Sequence, residues 1–153
     1  MPKGIIIALV IAVGSGIAIG MQGTLNNWAG KLLGAISTGL LVNLVGGMAA
    51  SIILPLLFFR QNHIHWDTIR SVTPMILVSG LLGIVIITGI AYSLPRVGIA
   101  AGLSAIIFGQ MAVALVVDSI GWGGDKPIPF SIVRGAGLAF LLTGTLLLLW
   151  RGK

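Results

Sequence analysis

Residues 97–117, VGIAAGLSAIIFGQMAVALVV, decide the fold class because they carry no charged side chain. An α-helix needs about 20 predominantly apolar residues to cross the roughly 30 Å hydrocarbon core of a bilayer. The stretch therefore predicts a membrane-spanning helix. A single amide, Gln110, lies near its middle.

The rest of the chain repeats this pattern. Uncharged stretches also occupy residues 4–30, 32–59, 71–95 and 135–150. The last one is short, but apolar residues precede Arg134, whose long side chain can extend to the lipid head groups. The sequence therefore predicts an all-α integral membrane protein that forms one domain over residues 1–153. Its five transmembrane helices are predicted at 4–23, 36–58, 73–93, 98–119 and 130–150.

The composition excludes most other classes. The chain has 153 residues, of which 57% are hydrophobic and 8% charged, whereas soluble domains carry about 25% charged residues. This excludes a soluble globular enzyme, and the high hydrophobicity excludes a disordered chain. The nine Lys and Arg residues are single and scattered, which is typical of membrane flanks and not of a nucleic-acid surface. The absence of Cys excludes thiol chemistry and disulfides.

Catalytic and cofactor motifs are also absent from the sequence. No nucleotide-binding motif of the Walker type occurs, and no set of nucleophile, base and metal ligands converges. His63, His65 and Asp67 offer at most three ligands, and we interpret them as part of a solvated loop. We therefore expect no enzyme activity, no cofactor and no metal site.

Aromatic and turn-forming residues support the predicted helix ends. Trp and Tyr concentrate at membrane interfaces, and here they lie at or just beyond the predicted ends, at Trp28, Trp66, Tyr92, Trp122 and Trp150. Short connections are predicted from turn-forming or helix-breaking residues at Asn26-Asn27, Pro95 and 121–129.

The positive charges give almost no orientation signal. An odd number of helices places the termini on opposite sides of the membrane. One side would then hold Lys3, Arg60, Arg70, Lys126 and Arg134, and the other Lys31, Arg96, Arg151 and Lys153. Orientation normally follows a Lys and Arg excess on the cytoplasmic side. Either one segment alone decides the orientation, or the chain inserts both ways and two copies pair into an antiparallel ten-helix homodimer.

Polar side chains at membrane depth are candidate substrate contacts, because an unpaired amide in hydrocarbon costs several kcal/mol. The candidates for a central cavity are Gln22, Asn43 and Gln110, with Asn26 on the face of Gln22 and with Trp28 and Tyr92 near the mouths. The alternative for each amide is an interhelical hydrogen bond that only holds the bundle together.

Asp118 ends the fourth predicted helix and allows three interpretations. It is an anion at the water boundary, a residue that fixes the fold by a hydrogen bond to a neighbouring loop, or a proton or cation site. The sequence contains no Glu, and no acidic residue falls inside the first three predicted helices. A drug/proton exchange mechanism with a glutamate embedded in the first helix is therefore excluded.

Glycines at four-residue spacing predict close helix packing, since residues four apart share a helical face. The candidates are Gly16, Gly20, Gly47, Gly98 and Gly102. They serve either plain packing within the chain or interfaces that slide during transport.

The fourth helix and the following turn resemble a known family. Gly109-Gln110-Met111, Val117–Gly121 and Gly123-Gly124 are similar to the signature of the YdcZ-like family, a group of five-helix proteins in the drug/metabolite transporter superfamily. Residues 22–26, Asn43 before Gly46-Gly47, and 91–103 also resemble it.

The resemblance implies a multi-pass protein of the bacterial inner membrane that works as a secondary transporter between two inverted five-helix halves. The expected substrate is a small organic metabolite or cation, and the expected partners are the lipid bilayer and a second copy of the chain. Two alternatives stay open, a dual-topology channel for a small ion and a scaffold or subunit that does not transport.

Overall fold

The computed structural model describes residues 3–60, 66–122 and 126–150, and within these residues the chain is helical apart from short connections. Five helices follow one another: α1 (Lys3–Leu33), α2 (Ala35–Arg60), α3 (Trp66–Val97), α4 (Ile99–Ile120) and α5 (Ile132–Leu149). All five are long and apolar enough to cross a membrane. The prediction of an all-helical, five-span chain is thereby confirmed.

The helices are longer than the predicted spans. α1 has 31 residues, which corresponds to about 46 Å at 1.5 Å per residue. It continues through Asn26-Asn27, so the turn predicted at that pair is wrong. α3 likewise begins before residue 73 and includes Asp67 ahead of its apolar span, Ile69–Val97. The predicted bounds leave the first three helices without an acidic residue, but the observed α3 contains Asp67.

The aromatic prediction holds at three positions. Trp66 begins α3, Trp122 lies two residues after the end of α4, and Trp150 directly follows α5. Trp28 and Tyr92 instead lie inside α1 and α3, because these helices extend to Leu33 and Val97.

Two single glycines replace the loops expected between α1 and α2 and between α3 and α4. Gly34 has a φ of 82° and Gly98 a φ of 92°, a backbone region that favours glycine. Gly98 donates to the Leu94 carbonyl at 2.9 Å and accepts from the Gly102 amide at 3.0 Å. Pro95, which the sequence predicts to interrupt the helix, lies inside α3. The helix ends at Val97, and Gly98 separates it from α4.

Contacts divide the chain into two compact units, Met1–Tyr92 (unit 1) and Ser93–Lys153 (unit 2). In unit 1, α1 packs against α2, and in unit 2, α4 packs against α5. The single domain proposed from the sequence stays a prediction.

Apolar side chains cover the outside of the helices. Every residue from 4 to 19 is exposed, including Val10 at 66%. A water-facing helix does not expose apolar groups all around its axis, so lipid or another chain must cover this surface.

The glycines predicted to mediate helix packing have different environments. A Cβ on Gly16 or Gly47 would meet no atom within 4 Å, so these two positions do not pack tightly within the described part of the chain. A Cβ on Gly102 would lie 2.9 Å from Leu94 Cδ1, which requires a small residue there. Gly98 joins two helices instead of lying within one, and its packing role stays a prediction. For Gly20, half-buried in α1, the packing role stays a prediction.

Candidate functional site

Unit 1 contains a line of polar and small residues where α1, α2 and α3 meet, which we call the polar seam. Its polar members are Asn26, Asn27, Thr38, Asn43 and Thr88. The seam is the candidate functional site, because polar side chains inside a membrane bundle have to find partners in the protein, in water or in a ligand.

The α1 side of the seam follows from helical spacing. Gly23, Asn26, Asn27 and Gly30 lie at positions i, i+3, i+4 and i+7, which share one helical face. Asn26 is only 2% exposed and Asn27 only 7%, and Gly23 is buried as well. The two asparagines continue the helix because their side chains are buried, although asparagine alone favours turns.

α1 approaches α3 at Gly30. A Cβ placed on Gly30 would lie 2.8 Å from the carbonyl oxygen of Ala91 and 3.0 Å from its Cβ. Ala91 itself is 2% exposed. Pro95 has no amide hydrogen to donate to this carbonyl. A small residue at position 30 is therefore what lets the α1 backbone lie next to α3.

The α2 side of the seam is built around Gly39. The Thr38 hydroxyl, 1% exposed, donates to the Gly34 carbonyl at 2.9 Å. A Cβ on Gly39 would overlap the Thr88 hydroxyl of α3. The amide of Asn43 donates to the Gly39 carbonyl at 2.8 Å, so the Asn43 amide and the Thr88 hydroxyl both lie next to Gly39.

Asn43 also faces α3. A Cβ on Gly83 would lie 2.8 Å from Asn43 Oδ1, so this glycine leaves room for the amide oxygen. Because the Asn43 nitrogen is bonded within α2, its oxygen is the atom that remains to accept from α3 or from a ligand.

Two buried atoms of the seam have no hydrogen-bond partner among the described residues, Asn26 Nδ2 and Asn27 Oδ1. One is a donor and the other an acceptor. An unpaired buried amide is costly, about 1–3 kcal/mol in proteins. The pair can therefore bind a group that both accepts and donates a hydrogen bond, such as a hydroxyl, an amide or a water molecule.

The predicted cavity residues do not gather at one place within a unit. Asn26 and Asn43 belong to the polar seam. Gln22 and Trp28 are exposed on α1, and Tyr92 is exposed on α3. Gln110 is exposed on α4, in unit 2. Their common role in a substrate cavity stays a prediction.

Asp118 forms an ion pair in unit 2. Arg134 Nη2, near the start of α5, donates to Asp118 Oδ2 at 2.8 Å. The Asp118 carbonyl accepts from the Ile128 amide at 2.8 Å, which ties the loop between the helices to the end of α4. These contacts fit the fold-fixing interpretation of Asp118 and leave its role in ion coupling untested.

Asn27, Thr38 and Thr88 belong to the candidate site but are not among the cavity residues predicted from the sequence. For Asn27 the sequence predicts a turn. Its flanking glycines, Gly23 and Gly30, carried the missed signal, because they place the Asn-Asn pair between two small residues on one helical face.

The histidine pair His63 and His65 lies outside the described residues. Within residues 3–60, 66–122 and 126–150, no group of three or more His, Cys, Asp or Glu side chains could hold a metal ion.

Comparison with known families assigns the chain. The model of a family described as "Putative inner membrane exporter, YdcZ" matches residues 7–147. No curated protein and no solved structure matches the chain. Together with the five apolar helices, the family match identifies a multi-pass protein of the inner membrane. The resemblance seen in the sequence is confirmed, and the chain belongs to the YdcZ family.

Proposed function

We propose that this protein is a secondary transporter, not an enzyme, that moves a small organic metabolite or cation across the inner membrane. The observation that carries the proposal is the buried donor and acceptor without partners, Asn26 Nδ2 and Asn27 Oδ1. Carriers bind their substrate inside the membrane, through a few polar groups in an otherwise apolar helix bundle. The family description, "Putative inner membrane exporter, YdcZ", also supports transport across the membrane.

Two chains of opposite orientation would complete the transporter. Gln22 and Gln110 are exposed on the chain surface, and an amide that faces lipid is costly. A second copy that covers these faces would convert them into the walls of a shared cavity. The nearly equal division of Lys and Arg between the two sides supports insertion in both orientations. Alternating access would then rock one five-helix half against the other.

Transport through the polar seam can be tested without knowing the substrate. Proteoliposomes are loaded with a bacterial metabolite extract, and the compounds lost from the lumen are compared by mass spectrometry. The Asn26→Leu/Asn27→Leu variant should lose the efflux that the unmodified protein catalyses. Thr24→Val is the matched control, because Thr24 is an exposed polar residue of α1 whose hydroxyl donates to the Gly20 carbonyl of the same helix. Equal efflux by the double variant and the unmodified protein would overturn the role of the seam.

The same liposomes can be used to distinguish a carrier mechanism from a channel mechanism. A carrier exchanges labelled substrate against unlabelled substrate, whereas a channel gives conductance without counterflow. Gln110→Ala should abolish efflux and leave the dimer intact. Loss of the dimer together with efflux would instead make Gln110 a residue of helix association.

Orientation is tested with single cysteines on both sides, because the chain has none of its own. Leu33→Cys marks the joint between α1 and α2, and Pro127→Cys marks the exposed loop before α5. A membrane-impermeant maleimide should label about half of each variant in intact cells. Complete labelling of one variant and none of the other would rule out the antiparallel homodimer.

A further inference from the structure

An apolar groove lies between α4 and α5 of unit 2. It is a cavity of about 300 Å³. Three residues of α4 and three of α5 form its apolar walls: Met111, Ala114, Leu115, Gly137, Leu138 and Leu141. Asp118 and Arg134 line it as well.

The spacing of these residues gives the groove a direction. On each helix the lining positions follow the i, i+3, i+4, i+7 pattern of one face. Asp118 ends the stripe on α4 and Arg134 begins the stripe on α5. The ion pair therefore marks one end, and Met111 and Leu141 lie about 10 Å deeper along the helices. Further along the same faces, Ser104 and Thr145 hold the helices together by a 2.8 Å hydroxyl hydrogen bond.

The charged end has unused hydrogen-bonding capacity of both signs. Arg134 Nη1 is buried and has no partner among the described residues. The Asp118 side chain is 41% exposed, and a carboxylate that binds one guanidinium nitrogen can accept further hydrogen bonds. A purely anionic ligand would be attracted by Arg134 and repelled by Asp118. A zwitterion can satisfy both, with its negative group on Arg134 and its positive group on Asp118.

We infer that the α4–α5 groove binds one phospholipid with a zwitterionic, primary-ammonium head group. The phosphate oxygens accept from Arg134, the ammonium donates to Asp118, and one acyl chain lies along the apolar walls. Asp118 lies near the end of α4 and Arg134 near the start of α5, which corresponds to the level of the head groups in a bilayer. From there the groove leads toward the apolar interior of the membrane. This site would tie the α4–α5 pair to the surrounding lipid and does not depend on the proposed transport.

The first experiment blocks the groove. The full chain is extracted from membranes that contain phosphatidylethanolamine and phosphatidylglycerol, and the lipid retained per protein is measured by mass spectrometry. Gly137→Leu should lower retained phosphatidylethanolamine about tenfold, the loss expected when roughly two methylene groups are excluded from an apolar site. A side chain fits there, since a Cβ on Gly137 meets nothing within 4 Å.

Gly144→Leu is the matched control. Gly144 lies on the same helix, a Cβ there also meets nothing within 4 Å, and the position does not line the groove. Retention should equal that of the unmodified protein. Unchanged retention in the Gly137 variant, or an equal loss in both variants, would overturn the proposed site.

The second experiment tests head-group chemistry. Asp118→Asn keeps an oxygen that can accept from Arg134 and removes the negative charge. The preference should therefore change from phosphatidylethanolamine to the anionic phosphatidylglycerol. Free phosphoethanolamine, added as competitor, should not displace the retained lipid, because it lacks the acyl chain. An unchanged lipid ratio in Asp118→Asn, or displacement by free phosphoethanolamine, would contradict a lipid site.

Discussion

The two units of the molecule differ in the polar bonds that join their helices. In unit 2, two side-chain pairs join α4 to α5, Ser104 with Thr145 and Asp118 with Arg134, although Arg134 Nη1 keeps an unused donor. In unit 1, Thr38 and Asn43 bond to the backbone of their own helix, and the Asn26-Asn27 pair keeps a donor and an acceptor without partner.

This difference separates a structural role from a binding role. Side-chain pairs across a helix interface stabilise one arrangement of the helices. Buried amides with unused capacity stabilise nothing until another group binds them. This difference supports our proposal that the substrate binds in unit 1, whereas the two pairs across α4 and α5 stabilise the packing of unit 2. Substitutions in each unit should affect stability differently.

The largest effect on stability should come from Gly39→Ala in unit 1. The new Cβ would overlap the Thr88 hydroxyl, and overpacking a tight contact costs about 1–3 kcal/mol. Thermal unfolding in detergent measures the loss. Gly46→Ala is the control on the same helix, because a Cβ there meets nothing within 4 Å. Adding Thr88→Ala should restore part of the stability, and no restoration would show that the two positions do not meet.

The next effect is expected from Arg134→Gln in unit 2. It removes the charged partner of Asp118, and hydrogen bonds to charged groups contribute about 1.5–3 kcal/mol. We expect the lower end, since both side chains are partly exposed. Lys126→Gln, at an exposed position of the loop before α5, should leave the unfolding temperature unchanged. Equal unfolding temperatures for both variants would show that the pair does not stabilise unit 2.

Ser104→Ala should have a small effect. The hydroxyl bond to Thr145 is worth about 0.6 kcal/mol, the average for such bonds between membrane helices. Thr145 also donates to the Leu141 carbonyl of its own helix at 2.8 Å, so it does not lose all partners. A double-mutant cycle of Ser104→Ala and Thr145→Val measures the coupling. A coupling free energy of zero would show that this hydrogen bond does not stabilise unit 2.

The smallest change, and the one of opposite sign, is expected for Asn27→Leu. The substitution removes a buried atom that has no partner, so stability should stay the same or rise slightly. Unfolding in detergent, compared with Asn43→Leu, checks this. Asn43→Leu should destabilise, because Asn43 donates a 2.8 Å bond to Gly39. A marked loss of stability in Asn27→Leu would make the seam a structural element like the α4–α5 interface.

The sequence was sufficient to predict the number of helices, because each span lies between charges. It was insufficient for the end of α1. The 20-residue rule describes the thickness of hydrocarbon and not the length of a helix. α1 continues past it, since Asn26 and Asn27 are buried and Gly30 meets Ala91 on α3.

The candidate site shows the same limit. The amides could be identified one at a time, because each stands out in an apolar stretch. Which of them are buried depends on helix contacts that no local pattern contains. The partner of Asp118 likewise follows only from the packing of α4 on α5, since Arg134 lies 16 residues further along the chain.

The single-residue joints determine where the chain can accept foreign sequence. At Gly34, the amide bonds to the Gly30 carbonyl and the carbonyl accepts from Thr38 at 3.1 Å, so an epitope tag inserted there would separate the two helices from their shared hydrogen bonds. The exposed residues 126–131 form no helix, and exposed loops tolerate insertions best. An antibody epitope or a reporter for tracking the protein in cells therefore belongs between α4 and α5.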